Sequence, residues 1–222
     1  MKTYGVILAA GSSTRFNSKV NKLFYKVNGK EIIVYPVETF LNNEDIAEVL
    51  IVSSESNISK LENLFIKHQN VSIILGGASR QESEYRALQY LHNIVSEKCF
   101  IAIHDAARSF ISTELLTNLI NTAKKYGSAA PYIEKSKFYN IINKEVLRNK
   151  KIVEIQTPQI YKFKDLYNCY TFLSNNKILG MVDTTESMYN FNKFETCVIK
   201  GEDRNIKITY KSDLDYIKKE NF

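Results

Sequence analysis

At 222 residues, with 44% hydrophobic and 24% charged side chains, the chain is long enough for a substantial core and is neither disordered nor fibrous in composition. Its net charge of +6 is spread over scattered lysines without the blocks of a nucleic-acid-binding arm. The balance itself suits nucleic acid and an anionic small substrate equally, and the scatter of the lysines makes nucleic acid the less expected partner.

No apolar stretch approaches the ~20 residues that span a bilayer, so no membrane partner is expected. Cys99, Cys169 and Cys197 lack the paired spacing of a zinc site or redox motif. Inert thiols in a reducing compartment are expected, and the N-terminus enters the first strand without a cleavable apolar segment. The expected location is the cytoplasm.

The first predicted element is the apolar run Val6-Ile7-Leu8, ended by the turn Ala9-Ala10-Gly11-Ser12-Ser13. It reads as a buried strand delivering a loop of small residues. Arg15 follows at once, and Lys22 a few residues later. Small side chains let backbone amides approach a phosphate, and a nearby cation neutralises the charge that gathers there. The loop is therefore expected to hold a nucleoside triphosphate. It lacks both the Gly-Lys-Ser/Thr of a P-loop and the three glycines of the dinucleotide fingerprint.

Helical spacing predicts a helix over Glu31–Leu41, with Pro36 starting or kinking a turn. Val49–Val52 is a second strand, and Ile58–His68 a helix with Ile58, Leu61, Leu64 and Phe65 on one stripe. Val71–Leu75 is a third strand, closed by Gly76-Gly77, and Ser79–Val95 a long helix. Cys99–Ile103 is a fourth strand, delivering His104-Asp105. Ser112 is the predicted N-cap of a helix over Thr113–Lys125. Strands alternating with helices predict an α/β fold, a mostly parallel, doubly wound sheet that binds ligands at the carboxyl ends of its strands. The loops Ala9–Arg15, Gly76–Arg80 and Asp105–Arg108 all follow predicted strands.

From about 132 to 156 the pattern changes to a two-stranded arm turning around Asn143-Lys144-Glu145. An apolar hairpin of this kind is marginal alone, so it is expected to pair with a second copy in a homodimer. Thr157-Pro158-Gln159 breaks the arm and Lys162–Leu173 reads as a helix. Thr196–Lys200 and Asn205–Thr209 read as late strands, and Ser212 as the cap of a closing helix. The whole chain, 1–222, reads as one domain with an arm. His104 reads as a packing or strand-end residue; His68 and His92 read as solvated.

Together the stretches LAAGSSTRF with Lys22, GGASRQES, HDAAR, QTPQ, and GEDRNIKIT followed by KSDL resemble the 2-C-methyl-D-erythritol 4-phosphate cytidylyltransferases, from about residue 4 to about 217. The resemblance implies a Rossmann-like nucleotidyltransferase sheet and a Mg²⁺-dependent transfer of CMP from CTP to a polyol phosphate in isoprenoid precursor synthesis. It also implies roles for named residues. Ala9, Ala10, Gly11 and Ser12 would cradle the triphosphate, Arg15 would steady the leaving pyrophosphate and Lys22 would meet the α-phosphate. Gly77, Arg80 and Ser83, with Ala107, would frame the nucleoside, and Asp105 would support Mg²⁺. Arg108, Ser136, Arg148, Thr157 and Lys207 would receive the acceptor, with Arg148 and Lys207 acting in catalysis and Arg148 coming from the second subunit.

This chain departs from the family pattern at several points. Asn21 and Leu23 replace the Pro and Gln that flank the lysine, and Arg148 lies one residue further from QTPQ. Glu134-Lys135-Ser136 replaces an Asp-Thr pair, and Val182-Asp183-Thr184-Thr185 replaces a Thr-Asp-Asp stretch. Apart from the neighbours of Lys22, the changes fall in the acceptor half. Ribitol 5-phosphate as acceptor, or a CTP-binding module without catalysis, are the rival readings; retention of Arg15 and Lys22 opposes the second.

Overall fold

A computed structural model of the chain describes residues 1–16, 20–134, 139–140, 145–146 and 152–219. In chain order its strands are β1 (Thr3–Ala9), β2 (Lys26–Val27), β3 (Lys30–Glu31), β4 (Ile46–Ser53), β5 (Val71–Leu75), β6 (Phe100–Asp105), β7 (Ser128–Glu134), β8 (Tyr139–Asn140), β9 (Glu145–Val146), β10 (Val153–Ile155), β11 (Gln159–Lys162) and β12 (Val198–Lys200). The helices are α1 (Val34–Leu41), α2 (Ile58–Phe65), α3 (Arg80–Leu91), α4 (Thr113–Tyr126), α5 (Phe163–Asn175), α6 (Thr184–Asn192) and α7 (Lys211–Lys219). Among the described residues, no helix is long and apolar enough to cross a membrane.

The main sheet runs β10-β7-β11-β6-β1-β4-β5, with β12 paired to β7. β1 lies between β4 and β6, parallel to both, and β5 is parallel to β4. Successive side chains on these strands point to opposite faces, and both faces are covered, which is why the strands read as continuous apolar runs. Ile7, Val49, Ile51 and Phe100 enter one core with Phe40 of α1, Leu61 of α2 and Leu116 of α4. Val6, Leu50, Val52 and Ile101 enter the other with Leu88 of α3 and Leu166 of α5. Each such side chain contributes roughly 1.5–3 kcal/mol by burial. An exposed pair such as Lys164–Glu97, at 2.9 Å, adds at most about 1 kcal/mol, so the two cores hold the sheet.

Local signals set the helix ends. The Ser79 hydroxyl accepts from the Glu82 amide at 3.0 Å and the Ser112 hydroxyl from the Leu115 amide at 2.9 Å. α4 stops at Gly127, whose φ of 88° suits a left-handed cap. Pro36 sits in the first turn of α1, where its missing amide costs no hydrogen bond.

Several elements differ from the sequence expectation: the helix expected over Glu31–Leu41 begins at Val34, with Glu31 in β3 paired to β2. β11 is an antiparallel strand inserted between β6 and β7, pairing Gln159 with Ile103 and Ile160 with Ala129. α6 was not anticipated. Asn205–Thr209 forms no ladder; it crosses the strand ends and is tied by the Ile208 amide to the Ala107 carbonyl at 2.8 Å. Ser212 lies within α7 and does not cap it. Asp213 Oδ2 does the capping, accepting from the Thr209 and Tyr210 amides at 2.7 and 2.8 Å. Of the expected arm, β7 pairs with β10 and β8 with β9, both antiparallel. The proposed turn residues Asn143 and Lys144 lie outside the described residues, as do Ser136 and Arg148.

Gly5 admits a close approach that no other residue allows. A Cβ there would lie 2.5 Å from Cδ1 of Phe40, which is itself fully buried. Gly5→Ala is expected to cost about 1–3 kcal/mol in urea unfolding. A wild-type midpoint would contradict this packing.

Candidate active site

Three loops at the carboxyl ends of β1, β5 and β6 enclose a cavity of ≈ 400 Å³, and the 207–209 segment closes it. The first loop leaves β1 at Ala9. It packs so tightly on the β5 loop that a Cβ on Gly76 would lie 2.8 Å from the Ala10 Cβ. Asn21 ties this loop to the turn carrying Lys22. Its Nδ2 donates to the Gly11 carbonyl at 3.2 Å, while its Oδ1 accepts from the Ser13 hydroxyl at 3.0 Å and the Leu23 amide at 3.1 Å. Leu23 is buried alongside. The two residues unlike the family pattern therefore fix the base of Lys22, whose Nζ donates to the Ile208 carbonyl at 2.6 Å.

The second loop is braced from α3. Ser83 Oγ accepts from the Gly77 amide at 3.0 Å, and Glu82 Oε2 from the Ala78 amide at 2.8 Å. Arg86 bonds both Glu82 and the Gly76 carbonyl at 2.8 Å. A side chain at Gly77 would collide with Glu82.

The third loop presents Asp105, nearly buried. Its Oδ2 accepts from Lys207 Nζ at 2.6 Å and its Oδ1 from Arg80 Nε at 3.3 Å. Its amide donates to Thr157 Oγ1 at 3.0 Å. His104, fully buried, lies 2.8 Å through Nε2 from the Arg108 carbonyl, and a carbonyl can only accept. The proton is thus on Nε2, and Nδ1 accepts from the Thr157 hydroxyl at 3.0 Å. Burial keeps this imidazole neutral, lowering its pKa to about 4. Both hydrogen-bonding functions of Thr157 are engaged in holding the His104-Asp105 strand end.

The cavity gathers Ala9, Ala10, Gly11, Ser12, Arg15, Lys22, Gly77, Arg80, Ser83, Asp105, Ala107 and Lys207. Arg108 and Thr157 lie outside its lining. Arg108 is buried, with Nη1 donating to the Asn205 carbonyl at 2.9 Å and Nη2 3.6 Å from Glu154. Its Nε has no partner among the described residues. Among the described residues, four cations, Arg15, Lys22, Arg80 and Lys207, thus share one cavity with one carboxylate. Burial opposes ionisation of Asp105, yet Arg80 and Lys207 hold its pKa well below the usual carboxylate range. Burial and the neighbouring Lys207 and Arg15 lower Lys22 to about 8. Such a site is built to collect several negative charges on one ligand and to distribute them over fixed cations.

Sequence reading missed Glu84, a buried carboxylate behind Arg80, and Thr184, which donates to it. A Glu four residues after an Arg is the usual pattern of a solvated helix face, so only packing by α5 and α6 reveals it.

A family model for 2-C-methyl-D-erythritol 4-phosphate cytidylyltransferase matches residues 4–218. The chain is 32% identical over 220 residues to a protein of Clostridium kluyveri named 2-C-methyl-D-erythritol 4-phosphate cytidylyltransferase, covering 95% of this chain and 93% of that one. Among solved structures, the bifunctional IspDF of Campylobacter jejuni aligns with a TM-score of 0.81 at 29% identity. That alignment covers 97% of this chain and 54% of the Campylobacter chain, about half its length. The Francisella tularensis 2-C-methyl-D-erythritol 4-phosphate cytidylyltransferase aligns with a TM-score of 0.79 at 25% identity, covering 97% and 98%.

Proposed function

The chain belongs to the 2-C-methyl-D-erythritol 4-phosphate cytidylyltransferase family, and we propose that its strand-end cavity transfers CMP from CTP to methylerythritol 4-phosphate. The observation that carries this reading is the convergence of four cations and a small-residue loop on one cavity of nucleotide size. In the reaction an oxygen of the acceptor phosphate forms a bond to the α-phosphorus of CTP, and the bond from that phosphorus to the bridging oxygen of the β-phosphate breaks. The products are the CDP-alcohol and pyrophosphate. The nucleophile is already ionised, so the protein has no proton to remove, and positioning and charge neutralisation do the work.

Backbone amides of Ala10 to Ser12 hold the triphosphate, and Arg15 takes up charge on the departing pyrophosphate. Lys22, swung from the Ile208 carbonyl toward the cavity, meets the α-phosphate, where charge builds. The tight Ala10–Gly76 and Gly77–Glu82 packing leaves a narrow base site suited to a pyrimidine. Lys207, paired with Asp105, would meet the acceptor phosphate, and Arg108, buried beyond the cavity lining, would add its charge from behind. Thr157 contributes by holding Asp105.

Asp105 fits Mg²⁺: it is the one carboxylate lining the cavity among the described residues, its pairs keep it ionised, and Mg²⁺ is commonly held by one carboxylate plus substrate phosphates. Held there, the ion would supply charge neutralisation to the substrate phosphates. We further propose a cytoplasmic homodimer of single-domain chains paired through residues 132–156; roles for Ser136 and Arg148 at the acceptor rest on the family resemblance alone. A monomeric mass in light scattering at micromolar concentration would contradict the dimer.

Pyrophosphate release is the test. With CTP it should require methylerythritol 4-phosphate; turnover with ribitol 5-phosphate alone would reject that acceptor, and none with either would reject catalysis. The depressed pKa of Lys22 adds a pH signature. Lys22 is charged below its pKa and loses its charge as pH rises, so kcat/KM for CTP, which reports the free enzyme, should fall as pH rises through about 8. A profile level to about pH 9.5 would contradict its role.

A further inference from the structure

Behind the cavity, Glu84 follows Arg80 by one turn of α3 and is 1% exposed. Three elements supply donors to its carboxylate. Arg80 Nη1 of α3 donates to Oε1 at 2.6 Å, Thr184 Oγ1 of α6 donates to the same oxygen, and the Tyr170 hydroxyl of α5 donates to Oε2 at 2.6 Å. On its other side Arg80 meets Asp105, and Asp105 meets Lys207. Charge therefore alternates from the helix interior to the cavity: Glu84, Arg80, Asp105, Lys207.

A carboxylate buried between three helices is a poor choice for stability, since well-packed apolar residues of similar size hold such a position as well or better. Its geometry has a different consequence. Arg80 stands in the first turn of α3, and its long side chain has many rotamers. With Nη1 fixed by Glu84, Nε alone faces Asp105, at 3.3 Å, and Nη2 has no partner among the described residues, so a single N–H engages that carboxylate. Without Glu84, the guanidinium is free to close on Asp105 with two nitrogens, Nε and Nη2, in the fork geometry that Arg–carboxylate pairs favour, and to displace Lys207.

We propose that Glu84 is a positioning residue of the nucleotide site: it holds Arg80 in place and, through Arg80, leaves Asp105 shared with Lys207. Thr184 anchors the start of α6 on the same carboxylate, so the placement of α6 and of Arg80 is set together. The proposal rests on the reading of the cavity as the CTP site.

Glu84→Gln keeps the shape and removes the charge. The expected result is a KM for CTP raised about tenfold and a smaller rise in the acceptor KM, since Lys207 is reached only through Arg80 and Asp105, with the thermal midpoint close to wild type. Tyr170→Phe removes one donor and should move the CTP KM in the same direction by a smaller factor, about threefold. A folded Glu84→Gln with unchanged KM for CTP overturns the proposal, as does an equal rise in both KM values with a lowered midpoint. If Glu84→Gln does not fold, Tyr170→Phe decides, and an unchanged CTP KM there is equally fatal. A wild-type chain that neither binds nor turns over CTP overturns the cavity reading along with this one. Normal wild-type turnover with unaffected variants overturns this one alone.

Discussion

Lys22→Met is expected to lower turnover by roughly 10²–10³-fold or more while leaving the fold intact. The charge at this position meets the phosphorus where negative charge builds, and among the described residues no other cation of the cavity is held from the same turn. Among the described residues its one side-chain hydrogen bond runs to the Ile208 carbonyl, which can accept from solvent instead, so the loss is catalytic rather than structural. A methionine keeps the apolar stem packed beside buried Leu23. Single-turnover measurement of CDP-alcohol formation at saturating CTP isolates the effect from binding. A variant within a few-fold of wild type would remove Lys22 from the reaction.

Asp105→Asn should reduce kcat/KM by roughly 10²-fold. One oxygen of Asp105 holds Lys207 and the other Arg80, so an amide can satisfy one cation only and turns its NH₂ on the other. The same substitution carries an independent signature. The Asp105 charge raises the pKa of Lys22 against the burial and cations that lower it. Removing that charge should move the alkaline limb of the pH profile to lower pH. Unchanged activity, or an alkaline limb that stays in place, would contradict the shared electrostatics of the two groups.

Much of this arrangement is legible in the sequence because its cause is local. Apolar β-branched runs ended by small residues specify β1, β4, β5 and β6; the loops after β1 and β5 lead to Arg15 and Arg80, and β6 ends on Asp105. Ser79 and Ser112 announce their helices by the caps they form. What escapes is set by distant partners. β11 is four residues long and becomes a strand only because Ile103 and Ala129 flank it. Asn205–Thr209 alternates like a strand but meets no free edge. Its alternation instead buries Ile208 in the core and points Lys207 into the cavity. α6 presents a polar sequence that buries Thr184 and Ser187 beside Met188, a weak signal for a helix period. Glu84 reads as a surface residue until α5 and α6 cover it.

Asn21 shows the opposite case. From sequence, its place beside Lys22 was an unexplained departure. In the structure, its single amide binds Gly11, Ser13 and Leu23, joining the phosphate loop to the lysine turn. The substitution relative to the family pattern thus replaces one means of aiming the lysine with another.

The central claim, that the β1 loop and Lys22 form the CTP site, is tested most directly by a crystal structure of the chain with CTP and Mg²⁺. The triphosphate is predicted along the amides of Ala10 to Ser12, with Lys22 Nζ hydrogen-bonded to an α-phosphate oxygen and the base against Gly77 and Ser83. A nucleotide bound elsewhere, or an α-phosphate beyond the reach of Lys22, would contradict the account.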